Sequence, residues 1–383
     1  MEDIISHGDE RPPRTGRRRL LAAAALVAVA ALLTARFLPR DHPHARPAHA
    51  VRVRLLPRLS ALPPSGITGG TAAWAPDARL PRSGARPDWF WPAGGRVAPI
   101  LGLPSDRDGY VFTRLSGGWA IQADPGGPVF SLGDRARRAV RVGTASLVAP
   151  APGRGQMWLT TFPAGRGRAP GVAPLYSASG ARIGAPVTLP AGYEITQGTR
   201  HGLLLGSLSL AGQGTSDELW DPAAGTVLRR FDGVVAVTAT AVAYAPPCTR
   251  TCPVDVVSLA SGHQVTIRIR PTDTATSGVF SPDGRFLALQ IDRGNGEVSD
   301  DGTAATQLEV ASAATGHAIV VPRIFVSSSA LAAFGWPGSQ DDLVVEFTLD
   351  GKAQVASWNP VARSNLALAN VTPAEDPAAL VVG

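Results

Sequence analysis

From residue 97 onward the chain repeats one pattern. A short apolar stretch, a polar turn and a second apolar stretch are followed by a third stretch, a Gly/Asp/Ser turn and a last strand. The clearest unit begins Gly278-Val279-Phe280-Ser281-Pro282-Asp283-Gly284-Arg285 and continues through 286–291, 307–311, the turn from Ser312 to Gly316, and 317–321. Proline presets φ for the first corner, aspartate bonds the backbone ahead of it, and glycine accepts a positive φ. First strands of equivalent units open near Val97, Ala145, Tyr193, Val234, Gly278 and Leu331, at intervals of 48, 48, 41, 44 and 53 residues. A four-stranded unit recurring at roughly 40–50 residues has the period of propeller blades. Closing such sheets into a ring removes their exposed edges.

The expected fold class is therefore all-β: a six-bladed propeller of four-stranded antiparallel blades over residues 96–370. Residues 51–95 leave room for a seventh blade, although their strand-like material is confined to 51–56 and Trp89-Phe90-Trp91. A pair of β-sandwiches does not account for six units sharing one internal turn. In the first unit the expected strands are 97–103, 110–115, 119–123 and 128–132. Residues 371–383 read as a tail.

Residues 1–19 are polar and end in Arg17-Arg18-Arg19, and the chain from Leu20 to Ala35 is almost entirely apolar. Extending that run to 20–38 gives a helix close to the length that spans a bilayer, with Arg36 reaching the interface on its long stem. A cleaved signal peptide has the same basic and apolar regions. Cleavage favours small residues at −3 and −1, whereas Leu33-Thr34-Ala35 places leucine at −3. The reading adopted is a transmembrane signal anchor with a cytoplasmic N-terminus and an extracytoplasmic C-terminal domain. Arginines are balanced across the segment, but large following domains translocate largely regardless of charge. Residues 39–95, rich in Pro and Arg at their start, read as a spacer.

The charge distribution narrows the partners. Residues 1–58 hold 11 Arg and 5 acids, and residues 59–383 hold 25 basic and 25 acidic groups, so the whole excess of +6 sits beside the apolar segment. A nucleic-acid binder carries its positive field on the folded domain. The expectation is no nucleic acid.

Chemistry-bearing motifs are sparse. The two cysteines are Cys248 and Cys252, with three residues between them in a predicted loop. That is not a redox C-x-x-C, and two thiols do not make a four-thiolate zinc site. In an exported domain the expected state is a local Cys248–Cys252 disulfide. His263 and His317 each follow a Ser/Thr-Gly turn before a last strand, so they occupy equivalent places in different units, and His201 stands apart from both. That placement argues against one shared catalytic centre. There is no G-x-S-x-G nucleophile elbow. The acidic loop from Asp292 to Glu297, with Asp300-Asp301, has glycines where an EF-hand needs ligands and reads as a solvated insertion. Trp74, Trp89 and Trp91 read either as buried packing or as an aromatic platform for sugar or peptide. No catalytic, cofactor-binding or metal-binding residue is assigned, and no cofactor is expected.

The run Phe280-Ser281-Pro282-Asp283-Gly284-Arg285-Phe286-Leu287-Ala288 resembles the repeat of TolB-type, WD-repeat-like propellers. Phe334-Gly335-Trp336-Pro337-Gly338 is a degenerate copy, and Glu218-Leu219-Trp220-Asp221-Pro222 resembles the strand and turn that close such blades. The layout of basic start, apolar anchor, Pro-rich spacer and irregular blades is similar to the single-pass propeller proteins of actinobacteria. The resemblance implies a propeller outside the cytoplasmic membrane whose role is to bind a protein partner or act as a scaffold, without catalysis. The alternative is an extracytoplasmic propeller-type glycan hydrolase or lyase, or a carbohydrate-binding module. Acids or histidines from several blades converging on the channel would favour the enzyme.

Overall fold

The computed structural model describes residues 72–76, 88–91, 96–104, 110–134, 136, 138–163, 169–208, 216–247, 252–294, 305–327, 331–336, 342–349, 352–362, 367–368 and 378–382. All lie in the compact unit Val51–Gly383. The 20–38 segment lies outside the described residues, and among those described no helix is long and apolar enough to cross a membrane.

Three strands open the described chain: β1 (Ala72–Pro76), β2 (Asp88–Trp91) and β3 (Arg96–Pro99). Six consecutive four-stranded antiparallel blades follow. The first contains β4 (Val111–Leu115), β5 (Gly118–Gln122), β6 (Pro128–Gly133) and β7 (Val140–Thr144). The second contains β8 (Leu147–Pro150), β9 (Met157–Thr160), β10 (Val172–Tyr176) and β11 (Arg182–Thr188). The third contains β12 (Tyr193–Thr199), β13 (Gly202–Ser207), β14 (Ser216–Asp221) and β15 (Thr226–Asp232). The fourth contains β16 (Val234–Val237), β17 (Ala241–Tyr244), β18 (Val254–Ser258) and β19 (Gln264–Ile267). The fifth contains β20 (Thr274–Phe280), β21 (Phe286–Asp292), β22 (Ala305–Ser312) and β23 (Ala318–Ser327). The sixth contains β24 (Leu331–Gly335), β25 (Leu343–Leu349), β26 (Lys352–Trp358) and β27 (Ala367–Leu368).

A seventh four-stranded sheet is built from both ends of this unit. Its order is β28-β1-β2-β3, where β28 is Ala378–Val382. Strand β28 runs antiparallel to β1, with Ala73 opposite Val381. It also packs against β24 and β25, while β1 packs against β4, so this sheet joins the sixth blade to the first.

Solvent access explains the strand chemistry. The second strand of each blade lies between sheet neighbours and between adjacent blades, so it is apolar on both faces. All five residues of β5 are buried, as are Leu203, Leu204 and Leu205 of β13 and Leu287, Ala288 and Leu289 of β21. Outer strands such as β11 and β15 are mostly exposed. The core is accordingly not one central cluster but a set of seams, each shared by two neighbouring sheets. Met157 and Leu159 of the second blade pack with Leu115, Ala120 and Val129 of the first. Trp336 and Leu343 of the sixth pack with Ala288 and Leu308 of the fifth.

The six expected units are present, and two boundaries differ from expectation. The stretch 97–103, expected to open the first blade, instead contributes Arg96–Pro99 as the outer strand of the seventh sheet. The first blade takes Val140–Thr144 as its outer strand, which carries little apolar signal because its positions are exposed or half-buried. The expected spacer supplies β1 and β2, and the expected tail supplies β28. The 51–56 stretch lies outside the described residues.

Gly198 marks the tightest contact between the second and third blades. A Cβ there would sit 2.7 Å from the Trp158 indole nitrogen and 3.1 Å from the Pro150 carbonyl oxygen. Gly198→Ala is expected to destabilise the protein by about 1–3 kcal/mol, measured by denaturant unfolding.

Candidate functional site

Each inner hairpin turn points toward one end of the ring, and the turn of the fifth blade shows how its sequence builds that surface. The Ser281 hydroxyl donates to Asp283 Oδ1 at 2.6 Å and accepts from the Phe286 amide at 3.0 Å. Asp283 Oδ1 accepts from the Arg285 amide at 3.0 Å, and the Arg285 guanidinium pairs with Oδ2. Gly284 takes φ +73, which a side chain rarely adopts. Burial alone would raise the Asp283 carboxyl. The hydrogen bonds from Ser281 and Arg285, together with the Arg285 charge, outweigh it and hold the group below its ordinary value. The same device recurs with other residues. In the fourth blade the Thr238 hydroxyl accepts from the Ala241 amide at 2.9 Å, and in the third the Thr199 hydroxyl accepts from the His201 amide at 3.1 Å.

These turns enclose a cavity of about 630 Å³ at the mouth of the ring. Six blades line it: Arg114 to Gly117 from the first, Pro150 to Pro152 from the second, Gln197 and Arg200 from the third, Val237 to Thr240 from the fourth, Phe280 to Gly284 from the fifth, and Trp336 from the sixth. Trp336 is buried, and its indole N–H donates to the Val279 carbonyl at 3.0 Å, tying the sixth blade to the fifth.

Three arginines stand at or beside the mouth. Arg114 contacts Asp134 at 2.5 Å and lies 5.0 Å from the Trp119 ring centroid. The Arg154 side chain lies against Gly117. Arg200 is exposed on the rim. Among the described residues neither Arg154 nor Arg200 has a carboxylate partner. Among the described residues, Asp283 is the only carboxylate lining the cavity. A second cavity, about 440 Å³, runs along the seam between the fourth and fifth blades and shares Thr240 and Gly284 with the mouth.

His263 and His317 occupy equivalent places, as the repeat requires. Their carbonyls accept from Ser258 and Ser312 amides, each at 2.9 Å, immediately after turns closed by Gly262 and Gly316. Both are exposed, and His263 lines the seam. The exposed His201 sits in an inner turn of the third blade, so the three do not form one centre. Cys252 is disulfide-bonded, and Cys248 lies outside the described residues. Trp74 stands opposite Asp88 in the seventh sheet, and Trp89 opposite Ala73. The loop 295–304 lies outside the described residues, and no metal-ligating cluster occurs among those described.

Sequence reasoning missed the buried acids. Glu218, Asp255 and Glu309 each lie three residues before the Asp or Ser that starts the last turn of successive blades, and all three are buried. Glu218 meets Arg230 at 2.9 Å, and Asp255 accepts from the Thr266 hydroxyl at 2.7 Å. Burial pushes the Glu309 carboxyl up, partly offset by the charges of Arg293 and Arg270. Arg293 pairs with the buried Asp273 at 2.5 Å, at the end of the fifth blade away from the mouth. Glu218 and Asp255 thereby hold neighbouring strands together inside the third and fourth blades. Their even spacing ahead of the repeated turn was the available signal.

No protein-family model matches the sequence, and no curated protein matches it by sequence. Solved structures do share its architecture. A puromycin-hydrolyzing peptidase of Mycobacterium tuberculosis is 13% identical, with 82% of this chain covering 54% of that one at a TM-score of 0.52. A Lactobacillus plantarum protein is 12% identical over 82% of this chain and 99% of that one, at 0.48. TolB from Acinetobacter baumannii is 11% identical over 83% of this chain and 66% of that one, at 0.43. At such identities the likeness establishes the β-propeller fold alone.

Removing Asp283 tests the turn. Asp283→Ala is expected to cost about 1–3 kcal/mol through the loss of the three hydrogen bonds its carboxylate accepts, read by chemical denaturation. Asp217, half-buried at the start of β14, has its carboxyl pushed up to about 6 by desolvation. A carboxyl raised on folding disfavours the native state once it ionises, and that penalty is relieved as pH falls from about 6 toward the unfolded value of about 4. Asp217→Asn should therefore stabilise the protein by about 1–3 kcal/mol at pH 8, with the gain disappearing by about pH 4 in denaturant titrations.

Proposed function

We propose that this propeller is a non-catalytic binding protein, held at the cell membrane by residues 20–38, whose partner is a protein recognised on the inner-turn face outside the cytoplasm. The observation that carries the reading is the composition of the mouth. Six blades converge there, yet they bring hydroxyls, an amide, arginines and a single salt-bridged carboxylate. General acid–base or nucleophilic catalysis needs a nucleophile or titratable pair within hydrogen-bond reach. The buried Glu218 and Asp255 are engaged within their own blades instead.

An enzymatic reading draws on the hydrolytic activity of the puromycin-hydrolyzing peptidase. This chain covers only 54% of that protein, and the shared part is a fold. Ser281, the hydroxyl nearest a carboxylate in the mouth, donates to Asp283 and has no histidine beside it in the cavity lining.

Extracytoplasmic placement is supported by the basic-then-apolar N-terminus and by a disulfide-bonded Cys252. Protease treatment of intact cells tests this directly. The C-terminal domain should be digested from outside while the uncut protein stays in carbonate-washed membranes, and non-reducing peptide mapping should recover Cys248 joined to Cys252. A domain protected in sealed cells and digested only after lysis contradicts the topology. Photo-crosslinking residues placed at positions 201 and 268 test the face: capture of a protein at 201 on the inner-turn side, and not at 268 at the other end of β19, is the expected outcome.

A further inference from the structure

The two cavities differ in character in a way that narrows the partner. Beside the mouth, the exposed Arg154 of the second blade and Arg200 of the third have no carboxylate partner among the described residues, and a carboxylate approaching them meets complementary charge. The adjoining seam is lined by Ala241, Val256, Val265 and Ala313, with Ser258 and Ser312 beside them. The two spaces adjoin at Thr240 and Gly284, which line both.

We infer that mouth and seam form one groove that takes an extended peptide segment of a partner protein, with acidic residues over Arg154 and Arg200 and an apolar stretch along the seam between the fourth and fifth blades. This rests on the binding reading above. A polyanion without apolar groups, such as a sulfated glycan, satisfies the arginines and leaves the apolar floor uncovered. A purely apolar segment leaves the arginines unanswered. A polypeptide carrying both satisfies the whole groove. Burying apolar side chains along the seam supplies affinity, and the arginines set direction and register.

Fluorescence anisotropy with the full-length protein in detergent tests this. The probes are a labelled peptide of a glutamate run followed by a Leu/Val/Phe run, a labelled oligoglutamate of equal length, and a labelled heparin-derived oligosaccharide. The bipartite peptide is expected to bind most tightly and to lose affinity with rising salt. Arg200→Glu should weaken it about tenfold or more. Ala314→Trp, which fills the seam from an exposed position, should weaken it about fivefold or more while leaving oligoglutamate unaffected. Arg268→Glu, at the opposite end of the strands, should change nothing. Equal binding of all three probes, with Ala314→Trp harmless, overturns the peptide groove and leaves a simple polyanion site. Failure of every probe while the partner still crosslinks at position 201 overturns the groove and keeps the inner-turn face. Failure of every probe together with crosslinking at 268 defeats both readings.

Discussion

The pairing of β28 with β1 is the constraint on which the rest of the molecule depends. A row of blades laid out in sequence order has two ends, each with an uncovered face and an unpaired edge. Here residues 378–382 complete the sheet begun by residues 72–76, 88–91 and 96–99, so the last strand is hydrogen-bonded to the first. That sheet touches both the first and the sixth blades. The seam cores are each made by two sheets and by neither alone, so closure gives every blade two neighbours. The mouth exists only because closure brings turns from six blades to a common centre.

Stability and recognition are divided between opposite kinds of residue. Middle strands carry Leu, Val, Ile, Ala and Trp and are spent on the seams. Buried acids fasten strands within blades, as Glu218 does through Arg230 and Asp255 through Thr266. Inner turns are fixed by short side-chain-to-backbone bonds at Ser281, Thr238 and Thr199, which hold the rim without apolar burial. The rim is thus rigid in its backbone and free to vary in its exposed side chains, a division that suits a protein whose task is to bind.

The sequence made blades two to six legible because their second strands are continuous apolar runs and their turns are marked by Asp, Ser and Gly. The Ser281-Pro282-Asp283-Gly284 turn folds as its residues dictate, and the equivalence of His263 and His317 followed from spacing alone. The outer strand Val140–Thr144 escaped because solvent on one side removes the need for an apolar pattern. Room for a seventh sheet was legible, with Trp89-Phe90-Trp91 as one of its strands, but the β28–β1 pairing escaped because its partners are some three hundred residues apart and no local signal announces a pairing at that distance. The mouth was invisible for the same reason. Arg114, Gln197, Thr238 and Asp283 are ordinary turn and strand residues in the sequence, and only the ring brings them together.

Amide hydrogen exchange on the full chain and on a chain ending at residue 377 tests ring closure most directly. The account predicts that removing β28 lowers protection in β1, β24 and β25 and then around the whole ring, because each seam loses the lateral support that a closed circle provides. Unchanged protection in those strands would contradict it, showing that six blades stand as an open row and that the mouth does not depend on closure.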